Sequence, residues 1–468
     1  MTSDLAELSA AELVRLYRRR EASPVEAVQA CLLRIRELNG QFGAYCQVHE
    51  ERALEDAAAS AARWAAGQPQ GPVDGVPTSI KDLILVKGWA TRRGSLTTDD
   101  EPPADEDAPA VARLRAAGAV LLGKTTTPEF GWKGVTDNPR GEVARNPWNP
   151  AMTPGGSSGG AAVAAALGMG ALHIGTDGGG SIRIPAGFTG IVGHKPTFGR
   201  VAAWPASLFG TVAHLGPMTR TVTDAALMLN VMSGPDARDW LSLPEDGTDY
   251  LIGLEAGVQG LRIAFSPSLG YARVDPEVAA AVEAAAQLFV DLGATVETAD
   301  PGFSSPAELF ERTWFPAAAL VVDGITPDKR PMLDPGLRRV AETGARLSGI
   351  DVYRTAKLRA DLAIQMQRFF DKYDVLLTPT LPITAFPAGQ ETPDAGPAGE
   401  WVDWTPFSYP FNLSQQPAVS VPCGLARNGL PVGLQIVGPK YADALVLRAA
   451  RAFESAKSFP MPRPANLA

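Results

Sequence analysis

Cysteine and histidine are both scarce in this chain of 468 residues, with three of the first (Cys31, Cys46, Cys423) and four of the second (His49, His173, His194, His214). Three distant cysteines without CxxC spacing form no disulfide framework, and a reducing cytoplasm is the expected setting. No His, Cys, Asp and Glu cluster has metal-ligand spacing, so no metal is expected. Each histidine stands without a motif around it, which points to hydrogen-bonded structural roles rather than general-base chemistry.

Long basic runs are missing too. The formal net charge is −9 and no Lys/Arg stretch exceeds Arg18-Arg19-Arg20, which excludes a nucleic-acid footprint. The most apolar window, residues 159–174, is shorter than the roughly 20 residues of a membrane span and reads as a buried core helix rich in alanine and glycine. Residues 1–10 carry acid before any apolar stretch, unlike the basic start of a signal peptide, so neither export nor a membrane partner is expected. There is no internal repeat of roughly 20–50 residues.

What remains is an ordinary globular composition, 45% hydrophobic and 20% charged, long enough for one large domain or two. Helical spacing appears in two blocks over residues 8–38, the second opened by Ser23-Pro24-Val25-Glu26, and again over 51–66, closed by Gly67. Residues 76–86 alternate like a strand or strand pair with Lys81 in the middle. An acidic, Pro-rich loop at 99–109 leads to a helix at 110–117 and a strand at 119–122. Later come strands at 262–265 and 295–297 around a helix at 276–292, and a helix-to-strand step at 371–379. Strands at 418–422 and 432–437 precede a helix at 443–456. This alternation indicates an α/β architecture. Residues 382–400, dense in proline and glycine, read as an irregular loop able to border a site.

Two serines carry the chemistry. Ser157 lies in Gly155-Gly156-Ser157-Ser158-Gly159-Gly160 and Ser181 in Asp177-Gly178-Gly179-Gly180-Ser181-Ile182-Arg183, both downstream of Lys81-Asp82. Consecutive glycines let the backbone approach a substrate and aim several N–H groups at one carbonyl oxygen, and the serine closing the run can attack that carbonyl. The combination reads as a Ser-Ser-Lys hydrolase.

Two other motif matches fail on context. Gly118 to Thr125 fits GxxxxGK[ST], but the strand lies inside the motif and Pro128 follows closely, so nucleotide binding is not expected. Gly155 to Gly159 fits the GxSxG elbow, with Asp177, His194 and His214 as nominal partners, yet the Pro-rich run 146–154 cannot be the strand an elbow requires.

Gly75-Val76-Pro77-Thr78-Ser79-Ile80-Lys81-Asp82, the two serine segments, Gly190-Ile191-Val192-Gly193-His194-Lys195-Pro196-Thr197, Phe411-Asn412-Leu413-Ser414 and Gly433-Leu434-Gln435-Ile436 together resemble the amidase signature family, in order from about residue 5 to 455. The resemblance implies one large domain (1–468) built on a central mixed twisted β-sheet with helices on both faces. An N-terminal helical segment of about 1–66 and a catalytic core of about 70–235 are expected within it. It implies Ser181 as nucleophile, Ser157 as proton relay, Lys81 as base and a cis peptide at Gly156-Ser157. Gly178, Gly179, Gly180 and the Ser181 amide are the expected oxyanion donors. The family often has a bulkier residue where Gly178 stands, which suggests a more flexible or open loop here. Ser158, Thr176, Asp177 and Arg183 should support that loop, Arg183 either paired to Asp177 or reaching an anionic substrate group.

The implied reaction is hydrolysis of a small-molecule amide to acid plus ammonia or amine, with esterase side activity and without cofactor, and a homodimer is the candidate assembly. Two alternatives stand beside it: the glutaminase subunit of a tRNA-dependent amidotransferase, and a non-catalytic binding protein on the same fold. Pocket loops are expected at 130–136, 204–209, Trp314-Phe315 and 401–409, whose aromatics hint at an apolar or aryl substrate group.

Overall fold

Strand residues that alternate between two apolar environments require a sheet covered on both faces. In the strand Val375–Pro379, Val375 and Leu377 join one core while Leu376 joins another, and Ile263 and Phe265 separate from Ala264 in the same way. The computed structural model describes residues 4–394 and 400–463. The expectations for residues 1–3 and 395–399 lie outside that range.

Among the described residues eleven strands form one sheet: β1 (Tyr45–Val48), β2 (Pro77–Lys81), β3 (Val120–Thr125), β4 (Leu172–Asp177), β5 (Val192–Lys195), β6 (His214–Thr219), β7 (Arg262–Phe265), β8 (Thr295–Thr298), β9 (Val375–Pro379), β10 (Ala418–Leu425) and β11 (Pro431–Val437). Their spatial order is β1-β3-β2-β4-β6-β5-β10-β11-β9-β7-β8. The sheet is mixed. β2 runs parallel to β3 and β4, and β7 to β8 and β9, while the strands between β4 and β9 pair antiparallel. One face is covered by the helices Val222–Met232, Pro276–Asp291 and Asp443–Ala456; the other carries Gly159–Ala166 and Arg183–Thr189 in its centre.

Both early helix readings carry their own boundary chemistry. Ser9 and Ser23 cap the helices Ala10–Arg19 and Pro24–Phe42, and Glu12 and Glu26 complete reciprocal capping boxes. The run 76–86 departs from expectation: only β2 is strand. The Lys81 carbonyl accepts N–H bonds from both Leu83 (2.8 Å) and Ile84 (3.0 Å), so the chain turns directly after Lys81. The apolar window 159–174 is likewise not one helix. It stops at Ala166, passes Gly168 and Gly170 at φ 68° and 145°, and continues as β4.

Three helices unread in the sequence, Ala307–Asp323, Pro335–Gly344 and Gly349–Phe369, form a layer beside the site. Trp314-Phe315, expected in a loop, lies in the first of them, where Pro316 interrupts the helical signal. Residues 382–394 form no helix or strand, and they do not line the cleft described below. No helix among the described residues is long and apolar enough to cross a membrane.

Candidate active site

Parallel pairing of β2 with β4 sets their C-terminal ends side by side, and those ends carry Lys81 and Thr176. Lys81 is fully buried. Its Nζ lies 2.7 Å from Ser157 Oγ, 2.9 Å from Ser158 Oγ and 2.8 Å from Thr176 Oγ1. Among the described residues no salt bridge reaches it. Among the other buried lysines, Lys124 is paired to Asp82 (3.3 Å) and Lys133 faces Asp137, Asp334 and Glu391, while Lys195, also without a carboxylate partner, donates to the Pro196 and Gln416 carbonyls and is bonded to no serine. Burial pushes the Lys81 pKa well below the ordinary lysine value, with only the Asp177 charge opposing it.

The hydroxyls around Lys81 suit a neutral amine. Ser158 Oγ gives its hydrogen to the Thr176 carbonyl (3.1 Å) and accepts from the Thr176 N–H (3.2 Å), so toward Lys81 it acts as an acceptor. A neutral amine has two N–H donors, which suffice for Ser158 and Thr176, and its lone pair is then left for the Ser157 O–H.

Ser157 follows a cis Gly156–Ser157 peptide in the turn before the helix Gly159–Ala166. Ser181 closes the glycine run after β4, and its carbonyl accepts the Ser158 N–H at 3.1 Å. No hydrogen bond joins the two serine hydroxyls. The Gly178, Gly179 and Ser181 N–H groups donate to no acceptor among the described residues. Gly180, expected among the oxyanion donors, is a correction: its N–H is bonded to Asp177 Oδ1 at 2.7 Å and points away from that task.

Asp177 fixes the loop. Its Oδ1 also accepts from Arg183 Nη2 (3.0 Å) and Asn412 Nδ2 (2.8 Å), and its Oδ2 from Arg183 Nε (2.9 Å) and the Ile182 N–H (3.2 Å). Burial alone would raise this carboxyl, but the Arg183 guanidinium and the bonds from Arg183 and Asn412 hold it well below the usual range. Arg183 is fully buried and spends its remaining donors on the Ser408 carbonyl, Gln435 Oε1 and Asn412 Oδ1. It has no donor left for an anionic substrate group, so that expectation is dropped. Asn412 and Gln435 were visible only as parts of C-terminal segments; their clamp on Arg183 depends on contacts more than 200 residues apart in sequence.

Of the two nominal triad histidines, His214 borders the same cleft as the serines and His194 does not. His214 Nδ1 is 2.7 Å from the Val212 carbonyl and 3.1 Å from that of Asp177, so this nitrogen is the protonated donor. His194 Nε2 faces Asp443 at 3.4 Å. Neither is hydrogen-bonded to Ser157 or Ser181, so no elbow-type triad forms. The P-loop match dissolves as well: β3 occupies the motif, and Lys124 is tied inside the sheet to Asp82, Thr91 Oγ1 and the Ile84 carbonyl.

Ser157, Thr176, Gly178 and Ser181 open onto a cleft of about 600 Å³. Its walls include Leu83, Phe130, Trp204, Leu208, Phe209 and Trp314, so two expected loops and the Trp314 position reach it, whereas 401–409 do not. A cleft of this kind beside an unpaired buried lysine and free backbone donors is equipped for acyl transfer.

A family model described as Amidase matches residues 26–447. The chain belongs to the amidase signature family. It is an amide-hydrolysing enzyme, and its mixed α/β sheet is the fold its relatives share. The acylamidase of Rhodococcus erythropolis is 40% identical over 466 residues, covering 98% of this chain and 97% of that protein. A glutamyl-tRNA(Gln) amidotransferase subunit from Moorella thermoacetica is 38% identical over 487 residues, covering 98% and 99%. The solved structure of a bacterial aryl acylamidase superposes with a TM-score of 0.89 at 33% identity, covering 96% of each chain. For this amidase the likeness therefore extends well beyond the serine motifs.

Proposed function

We propose that this amidase cleaves a small-molecule carboxylic acid amide through an acyl-enzyme on Ser181, releasing ammonia or an amine and then the acid. The observation that carries the reading is Lys81: a buried amine with no carboxylate partner, 2.7 Å from the Ser157 hydroxyl. Neutral Lys81 draws the proton of Ser157, which draws that of Ser181, and Ser181 Oγ adds to the carbonyl carbon. A rotation of the Ser181 side chain on substrate binding closes the relay, since catalytic hydrogen bonds often tighten only in the complex. The Gly178, Gly179 and Ser181 N–H groups are the donors available to the oxyanion. Collapse breaks the C–N bond as the leaving nitrogen takes the proton back through Ser157. Water then repeats the addition on the ester and regenerates Ser181.

The aromatic and aliphatic walls of the cleft favour an apolar or aryl group. A glutaminase would have to hold the free ammonium and carboxylate of glutamine. The charged groups on the cleft wall, Arg93, Glu101 and Asp323, stand among mostly apolar residues, with Arg93 bonded to Glu101 at 2.5 Å, and that apolar lining supports the stand-alone reading. Three free cysteines, two of them buried, fit a reducing cytoplasm. The test is fluorophosphonate labelling followed by peptide mass spectrometry, run beside turnover of aryl amides without ATP or partner. Modification at Ser181 is expected; modification at Ser157 instead would overturn the assignment of nucleophile.

A further inference from the structure

The glycine run that closes on Ser181 is pressed against an aromatic wall. A β-carbon built on Gly178 would stand 2.8 Å from Trp314 Cζ3 and 3.0 Å from Cη2, and one on Gly179 would stand 2.6 Å from Phe310 Cζ. Contacts under about 3 Å are not tolerated unless the neighbour can yield. Trp314 cannot easily yield. Its Nε1 donates to the Trp132 carbonyl (3.1 Å), its ring stacks on Phe209 with centroids 3.8 Å apart, and Phe310 and Trp401 pack on it at 5.3 and 5.7 Å. Gly178 itself does not have a positive φ, so its backbone would accept an alanine. The only obstacle is the indole. The space over Gly178 is thus filled rather than open, contrary to the loose loop expected from its lack of a side chain.

We propose that Trp314 is a specificity-determining residue of this amidase: its indole, in the space a side chain at 178 would need, sets the upper size of the substrate group seated over Gly178. Trp314, Gly178, Phe209 and Ser181 all border the same cleft, so the ring that excludes a β-carbon also limits what the substrate can place beside the nucleophile. The inference rests on Ser181 being the nucleophile. Trp314 touches substrate in this scheme and takes no proton, so its effect falls on which amides are accepted.

The experiment uses purified full-length chains carrying Trp314→Ala, Trp314→Leu, Gly178→Ala and Gly178→Ala with Trp314→Ala. Each is assayed on two series, p-nitroanilides of acyl groups from acetyl to decanoyl and benzoyl, and acetamides of amines from aniline to aminonaphthalene. Trp314→Ala and Trp314→Leu are expected to raise kcat/KM for the largest member relative to the smallest by about tenfold or more in one series, chiefly through KM, in keeping with the roughly 10- to 200-fold that one methylene of fit can carry. Gly178→Ala alone should lower turnover on every substrate and lower Tm. Loss of the buried indole lowers Tm by itself, but in the Trp314→Ala background the Gly178→Ala change should cost little further in turnover or Tm.

An unchanged size profile in both series, or a Gly178→Ala change that costs as much in turnover and Tm with Trp314→Ala as without it, overturns the proposal. Fluorophosphonate labelling of each variant separates this from a failure of the catalytic reading. Persistent labelling at Ser181 with an unchanged profile rejects only the role of Trp314, whereas labelling away from Ser181 in the parent chain rejects the mechanism and the proposal with it.

Discussion

Arg183 grips both oxygens of Asp177, Nε on Oδ2 at 2.9 Å and Nη2 on Oδ1 at 3.0 Å, with neither side chain exposed. This planar two-point pair holds the carboxylate that in turn orients the Gly180 and Ile182 N–H groups. Removing the guanidinium leaves a buried, uncompensated charge, for which the cost is about 3–5 kcal/mol. Arg183→Ala is expected to lose about that much stability in urea unfolding. Arg183→Lys, which cannot reproduce the fork, should recover only part of it. A variant as stable as the parent would mean the pair is dispensable.

Lys81→Ala should abolish amide hydrolysis while the chain remains folded by circular dichroism and thermal melting. Fluorophosphonate modification of Ser181 should slow in parallel, as the proposed Lys81-Ser157-Ser181 relay requires. Near-normal turnover in this variant would rule out Lys81 as the base.

The pH profile follows from the same residue. Lys81 must be neutral to accept a proton, and burial lowers its pKa well below 10.5. The acid limb of kcat/KM is therefore expected to rise with pH and level off well below 10.5, as read in steady-state kinetics across that range. A limb centred on 10.5 would contradict a buried base. Stability follows the same sign: between the folded and unfolded pKa values the unfolded chain binds one more proton, so the Lys81 contribution to stability increases with pH there.

His194→Ala and His214→Ala, made singly, should each leave turnover within about tenfold of the parent, since neither ring is hydrogen-bonded to Ser157 or Ser181. A loss near the roughly 10⁴-fold of a broken Ser-His-Asp triad would restore the elbow reading.

The sequence showed most clearly what is local. Lys81, Ser157 and Ser181 lie in short segments whose glycines and neighbours announce their chemistry, and the capping boxes at Ser9 and Ser23 mark helix starts directly. Strands β7 and β11 were legible because alternation or an apolar run stood between clear breaks. The layer from Ala307 to Phe369 was not. Pro316 interrupts its first helix, and much of the long helix Gly349–Phe369 is exposed, so apolar periodicity was weak. The loss of Gly180 as a donor and the contact of Trp314 with Gly178 arise only in three dimensions, because each depends on a side chain that the fold brings to the glycine run.

The clamp on Arg183 has a consequence in time as well as in space. Ser408, Asn412 and Gln435 close around the guanidinium, and β10, which seats β5, begins at Ala418. A chain emerging from the ribosome therefore displays Lys81, Ser157 and Ser181 long before it possesses the residues that hold the Asp177-Arg183 corner in place. Domains made in this order can fold early portions first. Here the Asp177-Arg183 corner is complete only once Ser408, Asn412 and Gln435 have been made, so the glycine run it holds is among the last parts of the chain to gain its full set of partners.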